Sequence, residues 1–215
     1  TDKTTLCKLD DTVTPKQFLN SVENRNPSCL VKINPNLLPE GKWKVWANLI
    51  KADANFALGD FETGLSILEK ISESSGKLYV EAKFEFSNGN YEIAIKKLLQ
   101  GVEEADVKAS FYSLLGEIEQ AKGNSSLALN YYKKANNFDP YWQKPLLKIS
   151  QIEISNSNYD FALTALKLAE KVGGKTNSLA SGKAQYFSYR YQLAAARDEA
   201  ISILQTDPNQ FDILV

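Results

Sequence analysis

The chain contains no histidine and no methionine in 215 residues. Without histidine it lacks the side chain that most often serves as a general base near neutral pH and as a zinc ligand. Ser–His–Asp, Cys–His and His–metal chemistry are therefore excluded. The missing methionine carries no functional consequence. Cysteine is scarce, with only Cys7 and Cys29. No histidine and no third cysteine stand beside them, so the pair does not make a zinc site. Two readings of the pair stay open. They are free thiols of a cytoplasmic protein, or they form a disulfide worth about 3 kcal/mol. The second reading implies an oxidising compartment such as the periplasm or envelope.

Long apolar runs are also missing. No stretch approaches the roughly 20 apolar residues of a membrane helix, and no charged-then-apolar leader stands at Thr1-Asp2-Lys3. That start suits loss of an initiator methionine, and it suits equally a chain cut behind a leader or another domain. The formal net charge is −1, which gives no electrostatic case for nucleic acid or an anionic membrane surface. The middle of the sequence leans acidic and the last third basic, which reads as solvated faces. With 43% apolar and 24% charged residues, the composition is that of a folded chain.

What is present is a repeat. Four short strings share one form: Gly59-Asp60-Phe61-Glu62-Thr63-Gly64, Gly89-Asn90-Tyr91-Glu92-Ile93-Ala94, Gly123-Asn124-Ser125-Ser126-Leu127-Ala128 and Ser157-Asn158-Tyr159-Asp160-Phe161-Ala162. The step from Gly89 to Gly123 equals the step from Gly123 to Ser157, and the step from Gly59 to Gly89 is slightly shorter. Apolar residues flank the strings at helical spacing. Tyr79, Ala82 and Phe86 precede the second, and Ile95, Leu98, Leu99 and Val102 follow it. The Gly or Asn between them suits a left-handed helix end. Each unit therefore reads as helix, tight turn, helix. A looser fifth copy is expected around Arg197-Asp198-Glu199-Ala200, with its turn in Leu193-Ala194-Ala195-Ala196-Arg197.

The pattern resembles the tetratricopeptide repeat (TPR), whose period is about 34 residues. In the third copy Tyr112, Leu115 and Gly116 match the first helix of that family. Ala128, Tyr132 and Ala135 match the second helix, and Pro140 the closing proline. The fourth copy has Leu146, Ile149 and Ser150, then Ala162, Leu166 and Ala169; the first has Leu49 and Ala52, then Gly64, Leu68 and Ile71. The resemblance implies an all-α, right-handed α-solenoid of four to five helix-turn-helix repeats. The array is expected over 43–205, with units near 43–75, 76–107, 108–142, 143–175 and 179–205. The fifth is a candidate terminal cap, since terminal repeats are atypical.

Residues 1–42 fall outside the repeat and read as an N-terminal cap or linker; 206–215 read as a tail. Thr14-Pro15 opens a short helix that Asn26-Pro27 ends. Cys29-Leu30-Val31-Lys32-Ile33 reads as a short extended apolar run.

Other motifs carry less. Gly173-Gly174-Lys175-Thr176 has no preceding strand and no upstream Gly at phosphate-loop distance, so it reads as an inter-repeat loop. Glu103-Glu104-Ala105-Asp106 lacks a second ligand group at helical offset and reads as a solvated loop. Asn124-Ser125-Ser126 is a formal glycosylation triplet within a turn.

The family resemblance implies a concave groove lined by the first helices, which holds a peptide or an amphipathic helix. By alignment its positions here are Trp46, Leu49, Asp53, Phe56, Tyr79, Lys83 and Phe86, then Ser110, Ser113, Glu117 and Gln120, then Lys144, Leu147, Gln151 and Ile154. Cover of Trp46, Leu49 and Phe56 by residues 1–42 is the competing expectation. A chaperone-tail clamp would place Lys and Asn on these helices. Those places hold Leu49 with Asp53 and Tyr79 with Lys83, so that subclass is disfavoured.

The expected function is a non-enzymatic scaffold for a protein or peptide partner, in a bacterial pilus, secretion or envelope assembly. No catalytic residue, metal or cofactor is expected, and no nucleic acid or membrane insertion. One alternative is an adaptor or output domain in signalling, suggested by Trp46-Ala47-Asn48-Leu49 ahead of Gly59-Asp60. Another is a structural self-assembler, which makes a homo-oligomer. An enzyme built on the same frame would have to use Asp53, Lys83 and Glu117.

Overall fold

The computed structural model describes residues 27–38 and 41–206. Cys7 and the helix expected after Thr14 lie outside the described residues, as do 207–215. The chain divides into two compact units between Asp106 and Val107.

The first unit opens with a helical turn, α1 (Pro27–Leu30), and a 3₁₀ turn, Pro35–Leu37. Two helix pairs follow. They are α2 (Lys42–Ala57) with α3 (Phe61–Glu69), and α4 (Ser75–Ser87) with α5 (Tyr91–Val102). The second unit holds three pairs: α6 (Lys108–Ala121) with α7 (Ser125–Phe138), α8 (Gln143–Ser155) with α9 (Tyr159–Gly173), and α10 (Asn177–Tyr189) with α11 (Leu193–Thr206). No described residue is in a strand. The fold class is all-α helical repeat, as the sequence pattern predicts.

One turn geometry joins all five pairs. Its central residue has positive φ: Gly59 (82°), Gly89 (78°), Gly123 (83°), Ser157 (61°) and Tyr191 (56°). The next N–H reaches back across the turn in each case. Asp60 donates to Asn55 O at 2.9 Å, Asn124 to Glu119 O at 2.8 Å and Gln192 to Phe187 O at 2.8 Å. These six-to-one bonds satisfy carbonyls that a helix end leaves open, which is the Schellman arrangement.

The fifth turn corrects the sequence reading. It lies at Arg190-Tyr191-Gln192, and Leu193–Arg197 begins α11 instead of forming the turn. The step from Ser157 to Tyr191 equals the two steps before it, so the period continues unbroken. The turn escapes notice because a tyrosine holds a place that glycine marks in three of the other turns.

The segment before the array also differs from expectation. Cys29 and Leu30 belong to α1, where Pro27 takes the first position that a helix tolerates for proline. Val31 N donates to Pro27 O at 3.1 Å. The run that reads as extended is a helical turn followed by a bend. It brings Leu30 and Ile33, three apart, against Ala47 and Ile50. Lys51 Nζ donates to Ile33 O at 3.2 Å. Burial of Ile33 contributes about 1.5–3 kcal/mol.

Small residues sit where paired helices cross. Ala52, Ala82, Ala94, Ala128 and Ala162 are all fully buried. A Cβ on Gly116 would lie 2.7 Å from the Tyr132 ring, and one on Gly64 2.3 Å from the Phe56 ring. Larger residues fill the space on either side of the crossing. Leu49, Leu68, Ile71 and Val80 form a core in the first unit. Leu146, Ile154, Leu166, Leu179 and Tyr186 form one in the second, and Tyr132, Ile149 and Ile152 form another. A single pair cannot bury these side chains alone, so neighbouring pairs share them.

Candidate functional site

The expected groove positions fall on a stripe of each first helix, spaced i, i+3, i+7 and i+10. In an α-helix such spacing keeps side chains on one side. Four successive first helices give four rows, and the rows differ in exposure.

The i+7 row is Asp53, Lys83, Glu117 and Gln151, all polar. Asp53, Lys83 and Glu117 are half-buried and Gln151 is exposed. In the first unit Lys83 Nζ lies 2.5 Å from Asp53 Oδ2, bridging α4 and α2. In the second unit Lys144 Nζ lies 2.6 Å from Glu117 Oε1, bridging α8 and α6. Ser113 Oγ is 3.5 Å from Glu117 Oε1. Both pairs retain solvent contact, which limits each to about 0–1 kcal/mol of stability.

The i row is Trp46, Gly76, Ser110 and Lys144. Trp46 and Ser110 are half-buried and Lys144 is exposed. The i+3 row sinks further. Leu49 (5% exposed) and Ser113 (1%) are interior, while Tyr79 and Leu147 are half-buried. Leu147 packs against the core of the second unit.

The i+10 row is mixed. Phe56 lies over Gly64 and packs against Phe84 in a tilted pair, 4.5 Å between centroids. Phe86 is half-buried and 5.9 Å from Tyr91. Gln120 accepts a hydrogen bond from the Tyr132 hydroxyl at 3.0 Å. Ile154 is core. Leu49, Phe56, Ser113 and Ile154 therefore serve packing. The open surface of the first-helix face comes from Trp46, Tyr79, Lys83 and Phe86 in one unit. In the other it comes from Ser110, Glu117, Lys144 and Gln151.

The described part of the N-terminal segment packs on α2; residues 1–26 lie outside the described residues. Leu30, Ile33 and Leu38 pack on Ala47 and Ile50 of α2, and Lys51 bonds to Ile33 O; Ile50 lies one turn from Trp46 and from Asp53.

A feature that the sequence reading misses lies in the turns. Asn90, Asn124 and Asn158 precede the second helices, where asparagine usually caps with its side-chain oxygen. None does so here. Each amide donates instead to a carboxylate five residues earlier: Asn90 to Glu85 at 2.7 Å, Asn124 to Glu119 at 2.6 Å and Asn158 to Glu153 at 2.8 Å. A bond to a carboxylate is stronger than a neutral cap bond. Glu119 and Glu153 are each 4% exposed. Lys122 and Lys133 approach them at 3.6 and 3.7 Å. The signal is legible as Glu-x4-Asn recurring in the second, third and fourth repeats. The arrangement also occupies the Asn124 amide of the formal glycosylation triplet.

Two cavities lie elsewhere. One, about 380 Å³, lies between Pro35, Asn48, Lys51, Glu62 and Lys70. The other, about 300 Å³, is lined by Glu170, Thr176, Lys183 and Glu199. There Lys183 Nζ lies 2.9 Å from Glu170 and 3.8 Å from Glu199. Among the described residues no three His, Cys, Asp or Glu side chains gather as a metal site. No described helix is long and apolar enough to cross a membrane.

Solved structures share this architecture. PilF of Pseudomonas aeruginosa superposes with a TM-score of 0.65 at 13% identity, over 93% of this chain and 87% of its own. A thermophilic TPR protein of Thermus thermophilus gives 0.63 at 20%, over 79% and 94%. The fold is that of the tetratricopeptide repeat. YrrB, a TPR protein with an unusual peptide-binding site, gives 0.57 at 13%, over 78% and 89%. No protein-family model and no curated protein matches the sequence. In TPR terms α2, α4, α6, α8 and α10 are the first helices, and their partners the second.

Proposed function

We propose that the protein is a non-enzymatic scaffold whose first-helix faces hold a peptide or helical segment of a partner protein. The carrying observation is the i+7 row. Asp53, Lys83, Glu117 and Gln151 keep solvent contact at equivalent places in four repeats, flanked by half-exposed Trp46, Tyr79 and Phe86. Aromatic anchors beside polar groups are what a peptide face needs. YrrB, with its unusual peptide-binding site, has the same fold.

The charges on this face are neutralised by one another, which supports binding over catalysis. Asp53 holds Lys83, and Glu117 holds Lys144. Neither cavity is lined by any of the four. The Asp53–Lys83 pair also disfavours a clamp for a terminal carboxylate, since an acid already occupies the lysine. The setting we propose is a bacterial pilus, secretion or envelope assembly, a reading supported by the likeness to PilF.

Capture from native lysate tests the binding reading. Trp46→Glu/Phe86→Glu is the suitable variant, because Leu49 is interior and its replacement would disturb the core. With circular dichroism unchanged, a partner retained by wild type and lost by the variant is expected. Equal capture by both would remove the first-unit face from the account.

A further inference from the structure

Two second helices carry surfaces that the first-helix face does not use. On α3, Phe61 (47% exposed) and Leu65 (43%) stand beside exposed Glu62 and Glu69. On α9, Phe161 (69%) and Leu168 (39%) stand beside exposed Lys167 and Lys171. Large apolar residues rimmed by charge mark an association surface more often than scattered ones do. None of the four charged side chains forms an ion pair with another described residue. One face is acidic and the other basic, and they belong to different units.

The flanks also match in sense. At about 100° per residue, Glu69 and Glu62 follow Phe61 and Leu65 around α3 in one direction. Lys171 and Lys167 follow Phe161 and Leu168 around α9 in the opposite direction. Two helices laid parallel, apolar row to apolar row, bring opposite flanks together, as e and g positions do in a parallel coiled coil. The acids of α3 then face the lysines of α9. Asp160 beside Lys167, Lys70 beyond Glu69 and Glu170, which Lys183 of the same chain neutralises, are the opposing charges, and they leave each face with its net sign.

We propose that α3 of one copy docks on α9 of a second copy, so that the protein self-associates head to tail. The occupant is a second copy because both complementary halves are on this chain. Such a contact is heterologous: each copy keeps one free face of each kind, and growth continues until a ring closes or a filament forms. Its charged rim makes it sensitive to ionic strength.

The test is the mass of the full chain by sedimentation equilibrium at low and high salt. The variants are Glu62→Lys/Glu69→Lys, Lys167→Glu/Lys171→Glu and the quadruple combination. All four side chains are exposed, and circular dichroism checks the fold. Mass rising with concentration at low salt and falling toward the monomer at high salt is expected. Each double variant weakens association at least tenfold. The quadruple variant, with both signs reversed, restores it. A monomer at all concentrations at low salt would overturn the proposal and leave these faces to another partner. So would double variants that associate as wild type, or a quadruple variant that stays monomeric.

Discussion

Tyr191 holds in the fifth turn the left-handed place that Ser157 holds in the fourth, one repeat earlier, with φ of 56° and 61°. Three glycines hold it in the other turns. A side chain in this region costs about 1–2 kcal/mol. Glycine avoids that cost but loses about 0.5–1 kcal/mol through its freer unfolded chain. Ser157→Gly and Tyr191→Gly are each expected to stabilise by about 0.5–1 kcal/mol. Urea unfolding midpoints read the difference. Glycine variants no more stable than wild type would show that these turns carry no strain.

The Glu–Asn bonds across the turns give a second expectation. Removing the Asn158 amide leaves the Glu153 carboxylate buried, with Lys133 as its remaining side-chain partner among the described residues. Asn158→Ala should destabilise by about 1–3 kcal/mol, the range for a buried polar group that loses its partner. Asn156→Ala, exposed like Asn158 in the same turn but not the donor to Glu153, should stay within about 0.5 kcal/mol. Thermal or urea denaturation of both variants checks the contrast. Equal losses would mean that the turn backbone, and not the carboxylate, sets the cost.

Two tyrosines on α7 set the behaviour at high pH. Burial, then the charge of Glu117, holds the Tyr132 hydroxyl far above its ordinary range. Burial, then Glu119 and Tyr112, raises Tyr131, with Lys122 opposing. Both hydroxyls ionise more easily in the unfolded chain, so above about pH 10 the folded state binds more protons than the unfolded state. Stability is therefore full below the unfolded value and falls as pH rises beyond it. Tyr132→Phe should flatten that fall between about pH 10 and 12, as measured by urea unfolding at several pH values. A slope identical to wild type would contradict the assignment to Tyr132.

The period and the helix pairs are legible in the sequence because glycine or asparagine marks four of the turns and small residues mark the crossings. The fifth turn is not, since nothing in Arg190-Tyr191-Gln192 announces positive φ. The short run after Pro27 misleads because four apolar letters look alike in a strand and in one helical turn; the contacts of Leu30 and Ile33 with α2 decide it. The first-helix stripe is legible as a register and not as a surface. Leu49 and Phe56 fit its spacing, yet the first is drawn into the core and the second lies over Gly64. Depth within a row depends on what the neighbouring helix brings, and one helix's periodicity does not contain that.

The central claim is that the first helices carry the partner-binding surface. Photocrosslinking tests it most directly, with a benzophenone side chain placed at Tyr79 or Gln151 on first helices, or at Lys96 or Asn130 on second helices. In native lysate the account predicts partner adducts from Tyr79 or Gln151 and none from Lys96 or Asn130. Adducts from the second-helix positions alone would contradict it.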